Sequence, residues 1–437
     1  MNKQPLVLNV YSPLHIGNGI KLTSVGEYVS TNQTVRVIDQ EQLMPLLNSM
    51  GIYDEYIEYI LNYAENSHVW DFFTSRGIEK EIKYTREMSL NAKLFNPQSN
   101  NILELAIETG RKKYIPGSSL KGALRTMIFA HCIAGTPELK TRIENLIAVK
   151  DRLYDIKNNV EKIENDLLKD LFHYFRVEDS EPVGDEHVGV EVAKRVHFFG
   201  VKTEGLDNLR ECICRDSVIK TNISIVEEKI PVEFNYLKKQ GLIGLFQVIN
   251  RVTENNIDFE INLLKASAEP VAREVTMALS GIKSQIASAK GQCAFMRLGK
   301  GKTYLYQVIL PFLSANSQKK IISFMVKDEE SRFNFPHTRV LTDDNQMFGW
   351  VKLSIPAVSL EEIRFYNNLV DNPEKGVTRL KAYFLEAKKA CFMINGIVYN
   401  EIQLVNQFQK VCKIGEEIEV TVQQVTREGK INQVKID

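Results

Sequence analysis

Residues 111–125, Arg-Lys-Lys-Tyr-Ile-Pro-Gly-Ser-Ser-Leu-Lys-Gly-Ala-Leu-Arg, constrain the fold of this chain more than any other stretch. Pro116 and Gly117 break the strand that leads in. Ser118 or Ser119 supplies an N-cap, and Leu120, Leu124, Met127 and Ile128 then recur at helical spacing. The pattern predicts a strand, a tight bend and a helix whose apolar stripe packs inward.

The same bend carries chemistry. A turn feeding a helix presents backbone N–H groups at the positive end of the helix dipole. Lys121 and Arg125 are four residues apart and share one helix face near that end. Arg111, Lys112 and Lys113 add charge on the approaching strand, so residues 111–125 hold five bases and no acid. Gly117, Ser118, Ser119 and these bases form a candidate phosphate cradle. It is not a Walker A loop, whose G-x-x-x-x-G-K-[ST] spacing is absent. The plainer reading is an N-capped helix with solvated lysines.

Two further turns join it. In the segment Arg297-Leu298-Gly299-Lys300-Gly301-Lys302, glycines permit close backbone approach while Arg297, Lys300 and Lys302 attract phosphate. Near the start, Leu14-His15-Ile16-Gly17-Asn18-Gly19 is a glycine turn in which His15 could donate to a phosphate or stack on a base. No partner base, metal ligand or nucleophile lies near His15 in sequence, so the residues point to binding rather than catalysis.

Acids and bases balance at 55 each. Overall charge therefore argues nothing for nucleic acid, and an RNA surface must come from local clustering. At 44% hydrophobic and 25% charged residues, the 437-residue chain reads as two or three globular domains. Cysteines at 132, 212, 214, 293, 391 and 412 contain one close pair, Cys212-x-Cys214, a poor zinc pattern. Buried thiols in a reducing cytoplasm, with no metal or cofactor, are expected. The first residues lack a signal-peptide pattern, and no run approaches the roughly 18 apolar residues of a membrane span.

Along the chain, strands are expected over 5–12, 27–29, 35–38, 188–192, 195–199, 219–225, 232–234, 293–298 and 305–310. Helices are expected over 43–48, 53–64, 241–252 and 271–289, with a loop at 91–101. Residues 137–171 read as a long helical stretch. Within it, Leu146, Val149, Leu153, Ile156, Val160, Ile163 and Leu167 make a heptad seam. That seam either packs on its own body or offers a coiled-coil partner site. From 415 to 437, alternation through Ile418, Val420 and Val422, a turn at Glu428-Gly429 and a return through Ile431, Val434 and Ile436 predict a hairpin of a small, OB-like barrel.

Taken in order, Leu14-His15-Ile16-Gly17, the segment from Ile115 to Arg125, and Leu298-Gly299-Lys300-Gly301 resemble the motifs of the RAMP superfamily of CRISPR proteins. Gly349-Trp350-Val351-Lys352-Leu353 looks like the ending of one subgroup, the fifth subunit of type III-A Csm complexes. The resemblance spans residues 5–353. It implies an α+β chain of two ferredoxin-like (RRM-like) units, 1–180 with a helical insertion near 137–171 and 181–353 with the glycine-rich loop. Residues 354–437 would form a small, mostly β appendage.

It further implies an antiviral-defence protein that binds the 3′ portion of guide RNA next to a backbone RAMP subunit. Other Csm subunits would surround it, target RNA would lie nearby, and host nucleases would be recruited for guide maturation. Backbone subunits of the family cut target RNA with a loop aspartate. Here Glu27 lies in an apparent strand and Asp39 begins a helix, so a non-catalytic role is expected. Two alternatives stay open: a RAMP-family endoribonuclease acting on guide precursor or target RNA, and a structural subunit without RNA contact.

Overall fold

The computed structural model describes the chain except for residues 1, 32, 63–67, 93–101, 200–207, 227–228, 290, 301–308, 325–337, 356–370, 373–378, 386–388, 395–396, 406–415, 426–430 and 437. Two compact units are present, Met1–Ile355 and Pro356–Asp437.

The first unit opens with β1 (Asn2–Val10), β2 (Gly17–Thr23), β3 (Tyr28–Ser30) and β4 (Thr34–Ile38). Helices α1 (Gln40–Ser49), α2 (Tyr53–Leu61) and α3 (Val69–Arg76) follow, then β5 (Tyr84–Asn91), β6 (Ile102–Ala106) and the short pair β7 (Glu108–Thr109) and β8 (Lys112–Lys113). Next come α4 (Gly117–Gly135), α5 (Pro137–Val149), α6 (Leu153–His173), β9 (Phe175–Val177), β10 (Val188–His197), β11 (Asn208–Ile213) and β12 (Val218–Ile225). The unit ends with α7 (Asn235–Leu264), α8 (Pro270–Ala289), β13 (Cys293–Arg297), α9 (Ala315–Ser323), β14 (Thr338–Leu341) and β15 (Trp350–Ser354).

One antiparallel sheet has the order β13-β15-β1-β12-β9, so β1 and β9 from before residue 180 are interleaved with strands from after it. Its inner face, with Leu6, Leu8, Met296 and Leu353, packs against Leu124 and Ile128 of α4, Phe246 and Ile249 of α7 and Leu279 of α8. A second sheet runs β2-β6-β11-β10-β5-β4-β3, with β14 also paired to β10. Burial of these apolar faces is the main driving force for the arrangement.

Several expectations change in detail. Val232–Phe234 is a 3₁₀ turn rather than a strand: Pro231 precedes it and α7 follows directly. The two segments expected within 188–199 are one strand, β10. Strand β11 has no apolar alternation in sequence, because it carries Arg210 and Glu211 as buried charges. The expected strand 305–310 falls largely outside the described residues, and Leu310–Phe312 is a 3₁₀ turn.

The stretch 137–171 is two helices, broken where Lys150 takes an extended conformation. Ile143, Ile147, Ile156 and Ile163 are buried in the main core, and Leu146, Leu153, Val160 and Leu167 pack against it. The seam is therefore used within the unit, and Val149, at the break, is 72% exposed.

In the second unit, β17 (Arg379–Leu385) pairs with β18 (Lys389–Ile394) and with β20 (Glu417–Val425), after β16 (Asp371–Asn372), which pairs with β18. Strand β19 (Ile397–Leu404) pairs with β18 and, in parallel, with β21 (Ile431–Ile436), and β21 pairs with β20. The ring β17-β18-β19-β21-β20 thus closes around Leu380, Phe392, Val420 and Val434.

Candidate nucleic-acid interface

The first and third glycine turns meet. Strand β1 ends at Val10, and the chain crosses the end of β15, with the Gly349 amide donating to the Pro13 carbonyl at 2.9 Å. Leu14 then bridges to Ile213. Gly299 has φ +75°, and a Cβ there would lie 2.3 Å from the His15 carbonyl oxygen. Only glycine lets the loop press this closely, and the Lys300 amide closes the contact onto that carbonyl at 2.7 Å.

His15 is 1% exposed and contacts the Glu211 carbonyl through Nδ1 at 2.7 Å. Burial pushes its imidazole below the ordinary range, against the raising effect of that contact, so it is neutral near pH 7. Gly17 leaves room for the ring: a Cβ there would stand 2.9 Å from His15 Nε2. His15, expected on the ligand surface, is instead a support beneath the turn.

Arg297 is likewise turned inward at 2% exposure, donating through Nε and Nη2 to the Phe348 carbonyl at 3.0 and 2.8 Å. Lys113 is buried among Glu108, Glu211 and the Ala106 carbonyl. The strand-side bases looked free because their acidic partners lie outside residues 111–125.

Lys300 remains at the rim, half-exposed, with Nζ on Glu104. Burial disfavours the charge of Glu104, yet hydrogen bonds from Lys300 and Arg210 outweigh it and hold its carboxyl below the usual range. Gly301 and Lys302 lie outside the described residues.

The Pro-Gly-Ser-Ser bend opens α4, but the helix already starts at Gly117 with Pro116 as its N-cap and no side-chain cap bond, so neither Ser118 nor Ser119 is the cap expected of them. Gly117 is buried, and its amide donates to Asp179 Oδ1 at 2.7 Å; a Cβ there would meet the Val177 carbonyl at 2.3 Å. Ser118 is exposed and Ser119 half-buried. Lys121 donates to the Phe172 carbonyl at 2.8 Å and lies over the Phe172 ring, as does Arg125, which also pairs with Glu164 at 2.6 Å. Burial and the neighbouring Arg125 push the Lys121 amine down. Arg111 is exposed at φ +66°, and Lys112 pairs on the surface with Asp185.

Sequence reasoning missed the charged layer beneath these turns, in which Arg86 pairs with Glu108 and Glu211 while Arg210 pairs with Glu104. The one available signal was the run of charge within an otherwise strand-like segment at 208–213. Among the described residues, no group of His, Cys, Asp and Glu is placed to hold a metal ion, and no helix is long and apolar enough to cross a membrane. Cys212 is buried and carries no disulfide.

These paired glycine turns and the Pro-Gly-Ser-Ser helix define a RAMP-type protein, and the chain belongs to the RAMP superfamily, whose model matches residues 7–304. Within it, the chain is similar to Csm5 proteins of CRISPR systems. That of Methanocaldococcus jannaschii is 21% identical over 380 residues, covering 79% of this chain and 87% of that protein. The Csm5 of Enterococcus italicus is 31% identical over 144 residues, which span 28% of this chain and 41% of that protein. The fold is shared with a chain of a type III-A Csm–crRNA–target RNA ternary complex seen by cryo-EM (TM-score 0.58, 21% identity, 81% of this chain and all of that one). It is also shared with the crystal structure of T. onnurineus Csm5 (TM-score 0.53, 19% identity, 79% and 99% coverage).

Proposed function

We propose that this chain is a non-catalytic, RNA-binding subunit of a type III-A Csm effector complex. It holds the 3′ portion of the guide RNA, ends the row of backbone subunits and supports guide maturation. The observation that carries the reading is the junction of the His15 turn with the Gly299 turn, a close backbone seat with Lys300 at its rim. Arg111, Ser118, Ser119, Lys121, Arg125 and Lys300 are the proposed RNA contacts. Gly17, Gly117 and Gly299 shape the backbone, and His15, Lys113 and Arg297 support it from below. Gripping phosphate without reading bases suits a guide whose spacer varies.

Three groups that could serve catalysis are otherwise engaged, which supports a binding role. His15 is buried on Glu211, Asp39 caps α1 by accepting from the Gln42 amide, and Glu27 accepts from Thr23. Single-stranded RNA binding followed against salt tests the reading. Lys300→Ala and Lys121→Ala should each weaken binding and flatten the log–log slope by ~0.7. Complexes reconstituted without the protein should carry altered guide 3′ ends. Unchanged ends, or RNA cleavage by the isolated chain, would count against it.

A further inference from the structure

Four carboxylates among the described residues of the first unit are at least nine-tenths buried, and three of them have cations. Glu104 holds Arg210 and Lys300, Glu211 holds Arg86 and Lys113, and Glu260 holds Arg339. Glu191, 7% exposed, has none among the described residues. Its Oε1 accepts from Asn91 Nδ2 at 2.8 Å, and its Oε2 takes no hydrogen bond from any described residue. Buried carboxylates are rarely left without a compensating charge.

Glu191 lines an open cleft of about 320 Å³ together with Asn91, Arg215, Asp343, Asp344 and Gln346. Pro13, just before the His15 turn, forms part of the wall. The surroundings do not supply the missing cation. Arg210 stands opposite Glu191 in the β10–β11 register, but its guanidinium is committed to Glu104 and lies over Phe348. Arg215 is exposed and turned to Asp216, and Lys194 is turned to Asp343. Cys212 of β11, Cys214 just beyond it and the two aspartates after β14 add no positive charge.

We propose that this cleft receives an arginine side chain from a neighbouring protein chain, with Glu191 as its counter-ion. The inference rests on the reading of this chain as a subunit of an assembly. A guanidinium brings five donors in a planar fork. Glu191 Oε2 and Asp344 supply charged acceptors, and the Gln346 and Asn91 amides supply neutral ones. Three carboxylates against one outlying arginine disfavour a phosphate backbone in the same place. The arriving cation removes the cost of ionising Glu191, so docking and ionisation are coupled: burial, with Asp344 and Asp343 nearby, raises the Glu191 carboxyl to about 7 when the cleft is empty.

Titration of the full chain with N-acetyl-arginine methylamide, against the lysine analogue as control, tests the cleft directly. Saturable arginine binding at pH 8 is expected. It should weaken toward pH 6 and fall about tenfold or more in Glu191→Gln. In reconstituted complexes the same variant should dissociate faster while its RNA salt slope stays unchanged. Equal binding of the probe by wild type and Glu191→Gln, or no binding at all, would overturn the proposal, as would crosslinking of RNA inside the cleft. Failure of the wild-type chain to join any complex would overturn the subunit reading instead, and the probe titration would still decide what the cleft accepts.

Discussion

The Lys300 amide donates to the His15 carbonyl at 2.7 Å, tying two turns from opposite ends of the first unit into one seat. That bond requires Gly299, whose φ of +75° and missing Cβ allow the approach. Gly299→Ala should therefore lower the unfolding free energy by about 2–3 kcal/mol, combining backbone strain with a clash against backbone. Gly110 has φ +54° but open space around it. Gly110→Ala should cost only about 1 kcal/mol. Urea unfolding of the two variants checks this, and equal losses would mean that the turns are not pressed together.

Arg339 and Glu260 form a bidentate pair, Nε–Oε1 2.5 Å and Nη2–Oε2 3.0 Å, with both side chains almost fully buried. It fastens β14 to α7. Arg339→Met leaves a buried carboxylate unpaired and should cost about 3–5 kcal/mol. The double variant Arg339→Met, Glu260→Gln should recover part of that loss in a double-mutant unfolding cycle.

How much of this was legible in sequence depends on how local the cause is. The bend at Pro116-Gly117 and the stripe Leu120, Leu124, Met127 and Ile128 are dictated within a dozen residues, and α4 forms there. The hairpin pairing Val420 with Ile436 and Val422 with Val434 was equally readable from its alternation. Strand β11 was not, because Arg210 and Glu211 are tolerated in the interior only through Glu104, Arg86 and Lys113. The burial of Lys113 and Arg297 was hidden for the same reason: a local row of bases says nothing about acids or carbonyls delivered from elsewhere.

The heptad seam continues across residues where the helix stops, which gives a direct test of its use. Ile163 of α6 is buried while Val149 at the break is exposed. Ile163→Ala should destabilise the first unit by about 2–5 kcal/mol. Val149→Ala should change stability by no more than about 0.5 kcal/mol. If the seam served a coiled-coil partner instead, Val149→Ala would alter self-association in sedimentation and Ile163→Ala would leave monomer stability near the wild type.

His15 should make the fold acid-sensitive. Its imidazole is held below the ordinary value by burial, so the unfolded chain takes up a proton near pH 6.5 that the folded chain refuses. Stability from this group is complete above the unfolded pKa and declines as pH falls below it. His15→Gln removes the titration, while the lowered His68, His131 and His197 remain in both proteins. The wild-type unfolding free energy should therefore drop more steeply than the variant's between pH 7 and pH 5. Parallel curves would show that His15 is solvated in the folded protein.

Glu191 should act in the opposite direction. Burial, then the Asp344 and Asp343 charges, raise its carboxyl from 4.5 to about 7, with the Asn91 hydrogen bond opposing them. A raised carboxyl means that the unfolded chain ionises first, so stability is lost as pH rises from about 4.5 to 7 and stays lost above that. Glu191→Gln keeps an acceptor for Asn91 and removes the charge. It should be more stable than the wild type by about 2–3 kcal/mol at pH 8, with little difference at pH 4.5. Urea unfolding at the two pH values measures the gap. No gap at pH 8 would mean that the charge is already compensated within the chain. A gap together with weaker assembly by the same variant would set folding and association against each other at a single side chain. That opposition is expected where a buried charge is kept for a partner rather than for the fold.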